Sequence, residues 1–154
     1  METLTYKNTE ISLRRFPLRE KEPLRAWDAA DEHLLKHLDE TPCPAGDRVL
    51  IVNDNFGALG VALNELRPQV WSDSFLAGQG LSHNLDANGL AEESVPFVPA
   101  DRTPDGPFDL VILKLPKSLV FWEDTLLRLR PLLSENARLV TGRMIKHSPA
   151  RAYE

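Results

Sequence analysis

The sequence predicts an α/β fold, a doubly wound and mostly parallel sheet with helices on both faces. Three observations carry that reading. The runs VLIV (49–52) and LVIL (110–113) are apolar throughout, as strands buried on both faces are. Stretches of helical period alternate with the strand-like runs, which is the rhythm of βαβ units. Gly57 and Gly60 follow the first apolar run directly, in the strand-to-helix turn where open sheets of this kind bind ligands.

The elements follow in order. EISLRRF carries Ile11, Leu13 and Phe16 and predicts a short strand with a bulge, ended by Pro17. LRAWDAADEHLLKHLDE (24–40) places Leu24, Trp27, Ala30, Leu34, Leu35 and Leu38 at helical spacing, with Asp28, Asp31, Glu32 and Lys36 on the opposite face. TPCPAGD breaks that helix. RVLIVND is a buried strand, and a helix runs from Ala58 to about Arg67, stopped by Pro68. QVWSDS is a second core strand. FLAGQGLSHNLDANG is a helix closed by Gly89. SVPFVPAD is a third strand, short or at an edge because of Pro96 and Pro99. FDLVILKLP is a fourth, SLVFWEDTLLRLRPLL a helix, and NARLVTGR a fifth.

At 154 residues the chain fits one domain. Within it, residues 1–44 are an N-terminal strand and helix packed on an α/β core of residues 45–154. No apolar run approaches the roughly 20 residues that span a bilayer. The stretch METLTYKNTEISLRRF has no signal layout, and the lone Cys43 suits a reducing compartment, so the expected location is the cytoplasm. One Cys and four His at scattered spacing predict no metal site. Net charge is -5, yet from Val111 onward Lys114, Lys117, Arg128, Arg130, Arg138, Arg143, Lys146 and Arg151 outnumber Glu123, Asp124, Glu135 and Glu154. Such a basic end is either a solvated surface or a face that meets phosphate.

The turn Asn53-Asp54-Asn55-Phe56-Gly57-Ala58-Leu59-Gly60 lacks the glycine at Asn55 that a G-x-G-x-x-G fingerprint needs, and it is no Walker loop. Its glycines either cradle a cofactor or permit a tight turn and close helix packing. Asp54, Asp73 and Asp101 stand at three successive strand ends. With Gly57 and Gly60 they are the candidate cofactor-binding residues. Asp73 is equally placed to cap the helix that begins near Phe75.

VLIVNDNFGALGVAL, VWSDS, NLDANG, FVPAD, FDLVILKLPKS and RLVTGR, in this order, resemble the S-adenosylmethionine-dependent methyltransferase (Rossmann-like) fold, truncated after the fifth core strand. HNLDANGL is similar to the asparagine-glycine helix end of the small-domain methyltransferases that modify ribosomal RNA. LRRFP, the helix at 24–40, the glycine turn and ILKLPKSL resemble the N-terminal half of the RlmG and RsmC type of ribosomal RNA guanine methyltransferases, from about Ile11 to Arg143. That resemblance implies two tandem methyltransferase-like domains, S-adenosylmethionine as the parent's cofactor, and a guanine exocyclic amine as its target. It also implies that the catalytic domain lies downstream.

The departures from the family pattern suggest a silent domain. Phe56 is bulky where the cofactor needs space. Lys114-Leu115-Pro116-Lys117 replaces the Asn-Pro-Pro-aromatic motif whose acceptors bind the target amine and whose ring stacks on the flipped base. The expectation is a non-catalytic domain that assists RNA binding through Lys114, Lys117, Arg143 and Lys146, with no catalytic residue and no cofactor of its own. Two alternatives remain. One is an active methyltransferase domain with a divergent site. The other is a structural partner of the catalytic domain, with Val120, Phe121, Trp122 and the Trp27 helix as its apolar face.

Overall fold

The computed structural model describes residues 2–18, 25–99, 101–114 and 119–142. A hairpin comes first, β1 (Glu2–Tyr6) and β2 (Thr9–Leu13), then α1 (Ala29–Glu40). The core alternates β3 (Val49–Val52), α2 (Ala58–Ala62), β4 (Gln69–Ser72), α3 (Phe75–Ala87), β5 (Phe97–Pro99), β6 (Phe108–Lys114), α4 (Leu119–Leu129) and β7 (Leu133–Gly142). The five core strands form one sheet in the order β5-β4-β3-β6-β7, and every neighbouring pair is parallel. The chain builds outward from β3 to β5, then crosses back to place β6 on the other side of β3. The order thus reverses between β3 and β6, which opens a crevice at their C-terminal ends.

Both faces are covered, and the strand residues sort by parity. Val49, Ile51, Leu110 and Ile112 pack with Leu34 and Leu38 of α1, Leu59 and Val61 of α2, and Leu81 and Leu85 of α3. Leu50, Val52, Trp71, Val111 and Leu113 pack on the other face with Leu129 and Leu132. This double burial is the reason the two runs show no polar alternation.

The N-terminal strand differs from its sequence expectation. It is a hairpin, and Lys7 and Asn8 form its two-residue loop with φ of 48° and 64°. Positive φ at both loop positions gives the twist that matches paired strands. Helix α1 begins at Ala29, so Trp27 lies before it, while Leu24 falls outside the described residues. Asp28 ends the extended segment by capping: its carboxylate accepts the Asp31 N–H, and the Asp31 carboxylate accepts the Asp28 N–H. The helix after β3 is a short α2, followed by a single tight turn at Asn64–Leu66 and a left-handed Arg67. A similar turn at Arg130–Leu132 holds Pro131, and β7 starts at Leu133, earlier than the sequence suggests. Strand β5 has three residues and lies at an edge, as its prolines require.

Two amides, Asn84 in α3 and Asn88 at its C-cap, tie the N-terminal segment to the core. Asn88 donates to the Ser12 carbonyl at 2.7 Å and accepts the Ser12 N–H at 2.9 Å. One turn earlier, Asn84 accepts the Arg14 N–H at 2.9 Å and donates to the Arg14 carbonyl at 2.9 Å and the Phe56 carbonyl at 2.7 Å. The i, i+4 spacing puts both side chains on one helix face, where they complete β2 as a neighbouring strand would. Asn84 has no exposed surface. Asn84→Ala strands two backbone groups of Arg14 and the Phe56 carbonyl. We expect it to lower stability by about 2–4 kcal/mol, read by urea unfolding, with faster amide exchange at Arg14. Unchanged exchange there would contradict the clamp.

Candidate functional site

The crevice between β3 and β6 is where a ligand of this fold would sit. Asn53 leaves β3 with a left-handed φ of 66°. Its side-chain amide donates across the crevice to the Lys114 carbonyl at 3.1 Å. Asp54 then turns inward and is 1% exposed. Its two oxygens accept the N–H groups of Leu59 at 3.3 Å and Gly60 at 2.9 Å. Asp54 therefore serves the free N–H groups of the first turn of α2, which every helix start leaves open. Burial pushes its carboxyl above the usual range, against the Gly60 N–H, the Lys114 ammonium and the Leu59 N–H, which pull it down.

The glycines serve packing. Gly57 caps α2 at φ 85°, and a Cβ there would lie 2.8 Å from the Leu81 Cα. A Cβ on Gly60 would meet the Leu81 side chain at 3.0 Å and Val95 at 3.3 Å. The close approach that these glycines allow is thus an approach of α3 to the loop. Phe56, between them and the strand, has its carbonyl held by Asn84 and its ring beneath the Arg15 guanidinium, 5.0 Å from the ring centre.

Lys114, at the end of β6, also points inward. It is 8% exposed. Its ammonium lies 3.2 Å from an Asp28 oxygen and 3.1 Å from an Asp31 oxygen. The expected RNA contact at Lys114 is corrected here: the ammonium faces two carboxylates of the protein itself, and a buried, doubly paired cation does not present itself to phosphate. The reading of Asp28 and Asp31 as solvent-face residues of α1 is corrected as well, because Asp31 is 2% exposed and both carboxylates meet Lys114. Burial raises the Asp31 carboxyl to about 6 although Lys114 pulls it down. At Asp28 burial also raises the carboxyl, but Lys114 and the Asp31 N–H outweigh it and hold it below its ordinary value. At Lys114 burial acts to lower the ammonium, and Asp31, Asp28 and Asp54 together raise it.

Asp73 is exposed and lines a small cleft with Val52, Asn53, Trp71, Ser72, Thr125 and Arg128. The cap of α3 is Ser74, whose hydroxyl accepts the Ala77 N–H, so Asp73 is not the capping residue. Asp101 is exposed in the turn after β5, two strands away from β3. The loop thus unites Asp54, Gly57 and Gly60, while Asp73 and Asp101 stand apart from them. Lys117, Arg143 and Lys146 lie outside the described residues, as do the side chains of Val120, Phe121 and Trp122. No group of three or more metal-ligating side chains occurs among the described residues. No helix among them is long and apolar enough to cross a membrane.

These residues do not fit S-adenosylmethionine. The carboxylate that would receive a hydroxyl or an amine is spent on Leu59 and Gly60, and α3 occupies the approach along the glycines. The cleft holds about 40 Å³, room for a few waters, against the roughly 300 Å³ or more of a small-molecule site.

The ion cluster makes a pH dependence. Because the folded Asp31 holds its proton more tightly than an ordinary carboxyl of 3.8, its contribution to stability is full below that value and lost as pH rises through about 6. The raised Lys114 contributes below its ordinary 10.5 and loses that contribution as pH climbs through its folded value. Carboxyl-carbon NMR should find Asp31 titrating near 6. Lys114→Met leaves two carboxylates without their cation and should lower stability at neutral pH by about 3 kcal/mol or more. A change within about 0.5 kcal/mol, the range of ordinary surface substitutions, would contradict the buried cluster.

Comparison with known proteins agrees with this architecture. The family description "RLMG N-terminal domain" matches residues 1–154. The Ribosomal RNA large subunit methyltransferase G of Pseudomonas syringae pv. tomato is 46% identical over 153 residues, 99% of this chain and 41% of its own length. Its namesake in Pseudomonas putida strain GB-1 is also 46% identical over 153 residues, with the same coverage. The chain therefore spans about two fifths of the length of these relatives. Among solved structures, a putative SAM-dependent methyltransferase of Streptococcus mutans superposes with a TM-score of 0.70 at 12% identity, over 99% of this chain and 43% of that one. The T. thermophilus 16S rRNA methyltransferase RsmC, in complex with AdoMet and guanosine, gives 0.57 at 20% identity, over 75% of this chain and 32% of that one. At such identities the structural likeness speaks for the fold alone. With its Rossmann-like α/β fold and a match along its whole length, the chain belongs to the RlmG N-terminal domain family.

Proposed function

We propose that this chain is the non-catalytic N-terminal domain of an S-adenosylmethionine-dependent ribosomal RNA guanine methyltransferase, and that it helps the parent protein hold its RNA. The observation that carries the reading is the inward turn of the crevice: Asp54 accepts the free N–H groups at the start of α2, and Lys114 is paired with Asp28 and Asp31. Neither is left to position a methyl donor or accept a proton from an amine. The relatives' name supports ribosomal RNA as the parent's substrate and methyl transfer as its reaction, and the three fifths of their length that this chain does not span leave room for the catalytic domain and its methyl donor. The work of this domain is then in the cytoplasm, where ribosomal RNA is modified.

The reading that the domain props up its neighbour has separate support. Phe75, 75% exposed, lines an open groove of about 460 Å³ with Gly78, Gln79, Ser82 and Phe97, and the exposed Leu76 follows it in α3. Exposed neighbouring apolar side chains of this size suit a protein contact.

Calorimetry separates silent from active. The chain should give no binding heat with S-adenosylmethionine, and the parent should bind one molecule per polypeptide. Micromolar binding to the chain itself would overturn the silent reading. Expression of the downstream part alone separates the other two: if it is soluble but holds RNA less tightly than the parent, the RNA role stands; if it is insoluble and refolds with full RNA affinity, the structural role does.

A further inference from the structure

Helix α3 buries one face and leaves another without work inside the domain. Ala77, Leu81, Asn84 and Leu85 turn inward, and Ser74 caps the first turn. Phe75 and Leu76 stand in that turn, 75% and 47% exposed. Gln79 and Ser82 follow Phe75 at helical spacing and continue its face. Phe97 of the edge strand β5 forms the opposite wall of the groove. Gly78 lets the two walls meet, because a Cβ there would lie 2.8 Å from the Phe97 ring. Glu92 accepts the Ser82 hydroxyl and lines the same groove.

We infer that this groove seats the downstream part of the parent polypeptide, and that it receives a segment with an apolar side chain at its centre and Lys or Arg beside it. The inference rests on the reading of this chain as one domain of a longer methyltransferase, and it names the surface by which the domains meet. Three observations support that occupant. The chain matches an N-terminal domain and spans 41% of its Pseudomonas syringae relative, so a tethered partner is present at high effective concentration. Position agrees as well. All neighbouring strands are parallel, so the end of β7 at Gly142 and the start of α3 lie on one rim of the sheet. Three strand spacings separate β7 from β4, about 14 Å, which roughly five extended residues span.

Charge decides between occupants. From Pro68 to Asp101 the sequence holds Asp73, Asp86, Glu92, Glu93 and Asp101 and neither Lys nor Arg. All five carboxylates are exposed. A flank of that sign repels RNA phosphate, and it repels a second copy of itself in a symmetric pair. It attracts a cationic polypeptide, whose apolar anchor can then settle between Phe75 and Phe97.

Hydrogen exchange read by mass spectrometry tests the contact without any substitution, by comparing the chain with the full-length parent in one buffer. Amides of residues 76–83 should exchange about tenfold more slowly in the parent. Phe75→Asp puts a charge at the centre of the contact and should cancel that protection. In the isolated chain the same change should move stability no more than an ordinary surface substitution. Glu93→Lys should lower the protection about threefold. Equal exchange in the unsubstituted chain and parent overturns the inference, whether or not the variants fold. Protection that grows with the concentration of the isolated chain gives the groove to a second copy, and protection that needs added RNA gives it to RNA. Either result overturns the inference too. The silent-domain reading stands or falls separately, on the binding of S-adenosylmethionine by the chain.

Discussion

A buried ammonium has to find carboxylates, and the place where Lys114 finds them sets the architecture around the crevice. Lys114 ends the central strand β6, whose backbone is fixed by β3 on one side and β7 on the other. Its side chain emerges where the sheet's ligand would lie, in a position that shields it almost completely. Taking a charge out of water is expensive unless partners are preset. The partners here are the two members of the α1 capping box. Asp28 and Asp31 hold each other's backbone N–H groups, which fixes their carboxylates where the lysine needs them. The start of α1 is thereby anchored to the end of β6, and a helix distant in sequence closes one side of the crevice.

The other side closes by the same logic of polar groups used internally. Asp54 satisfies the start of α2, and Asn84 satisfies the Arg14 backbone and the Phe56 carbonyl together. Each of these would be costly to bury unpaired, and each is paired with protein. A methyltransferase scaffold can thus keep its strand order, its glycine turn and its acidic strand end while pointing their polar atoms at its own backbone. Strand order sets where a ligand is able to bind. The direction of the donors and acceptors sets whether one is received.

The scaffold was readable because it is written in periodicity. Apolar runs at 49–52 and 110–113 gave central strands, and prolines at 96 and 99 gave an edge. The hairpin was not readable in the same way, since Lys7-Asn8 is a weaker turn signal than Asn-Gly and β1 alternates threonines with a leucine. Trp27 matches helical spacing, yet Asp28 is extended as a cap, and capping overrode period. At the site, the sequence located the loop and Lys114 but not their direction. Lys114 reads as a surface cation until Asp28, 86 residues earlier in the chain, and its neighbour Asp31 are seen beside it. The pattern Asp28-x-x-Asp31 was a legible capping signal, though it could not say that its spare oxygens would receive a lysine. Asn84 and Asn88 were visible only as part of a helix end, because their partners Ser12 and Arg14 are fixed by tertiary packing.

The same accounting decides where positive charge remains useful. Asp28, Asp31 and Lys114 sum to one negative charge when all are ionised, and the buried Asp54 adds to the negative side. A cluster of that sign repels phosphate at its own centre, whatever its lysine suggests in the linear sequence. Attraction has to come from cations that stand in front of the cluster, closer to solvent than the carboxylates they offset. Coulomb terms fall with distance and are screened by salt, so a guanidinium at the surface outweighs a carboxylate behind it for a ligand that stays outside. Filling the crevice with internal ion pairs thus takes the strand ends away from a polyanion, because the lysine that would attract it is spent on Asp28 and Asp31.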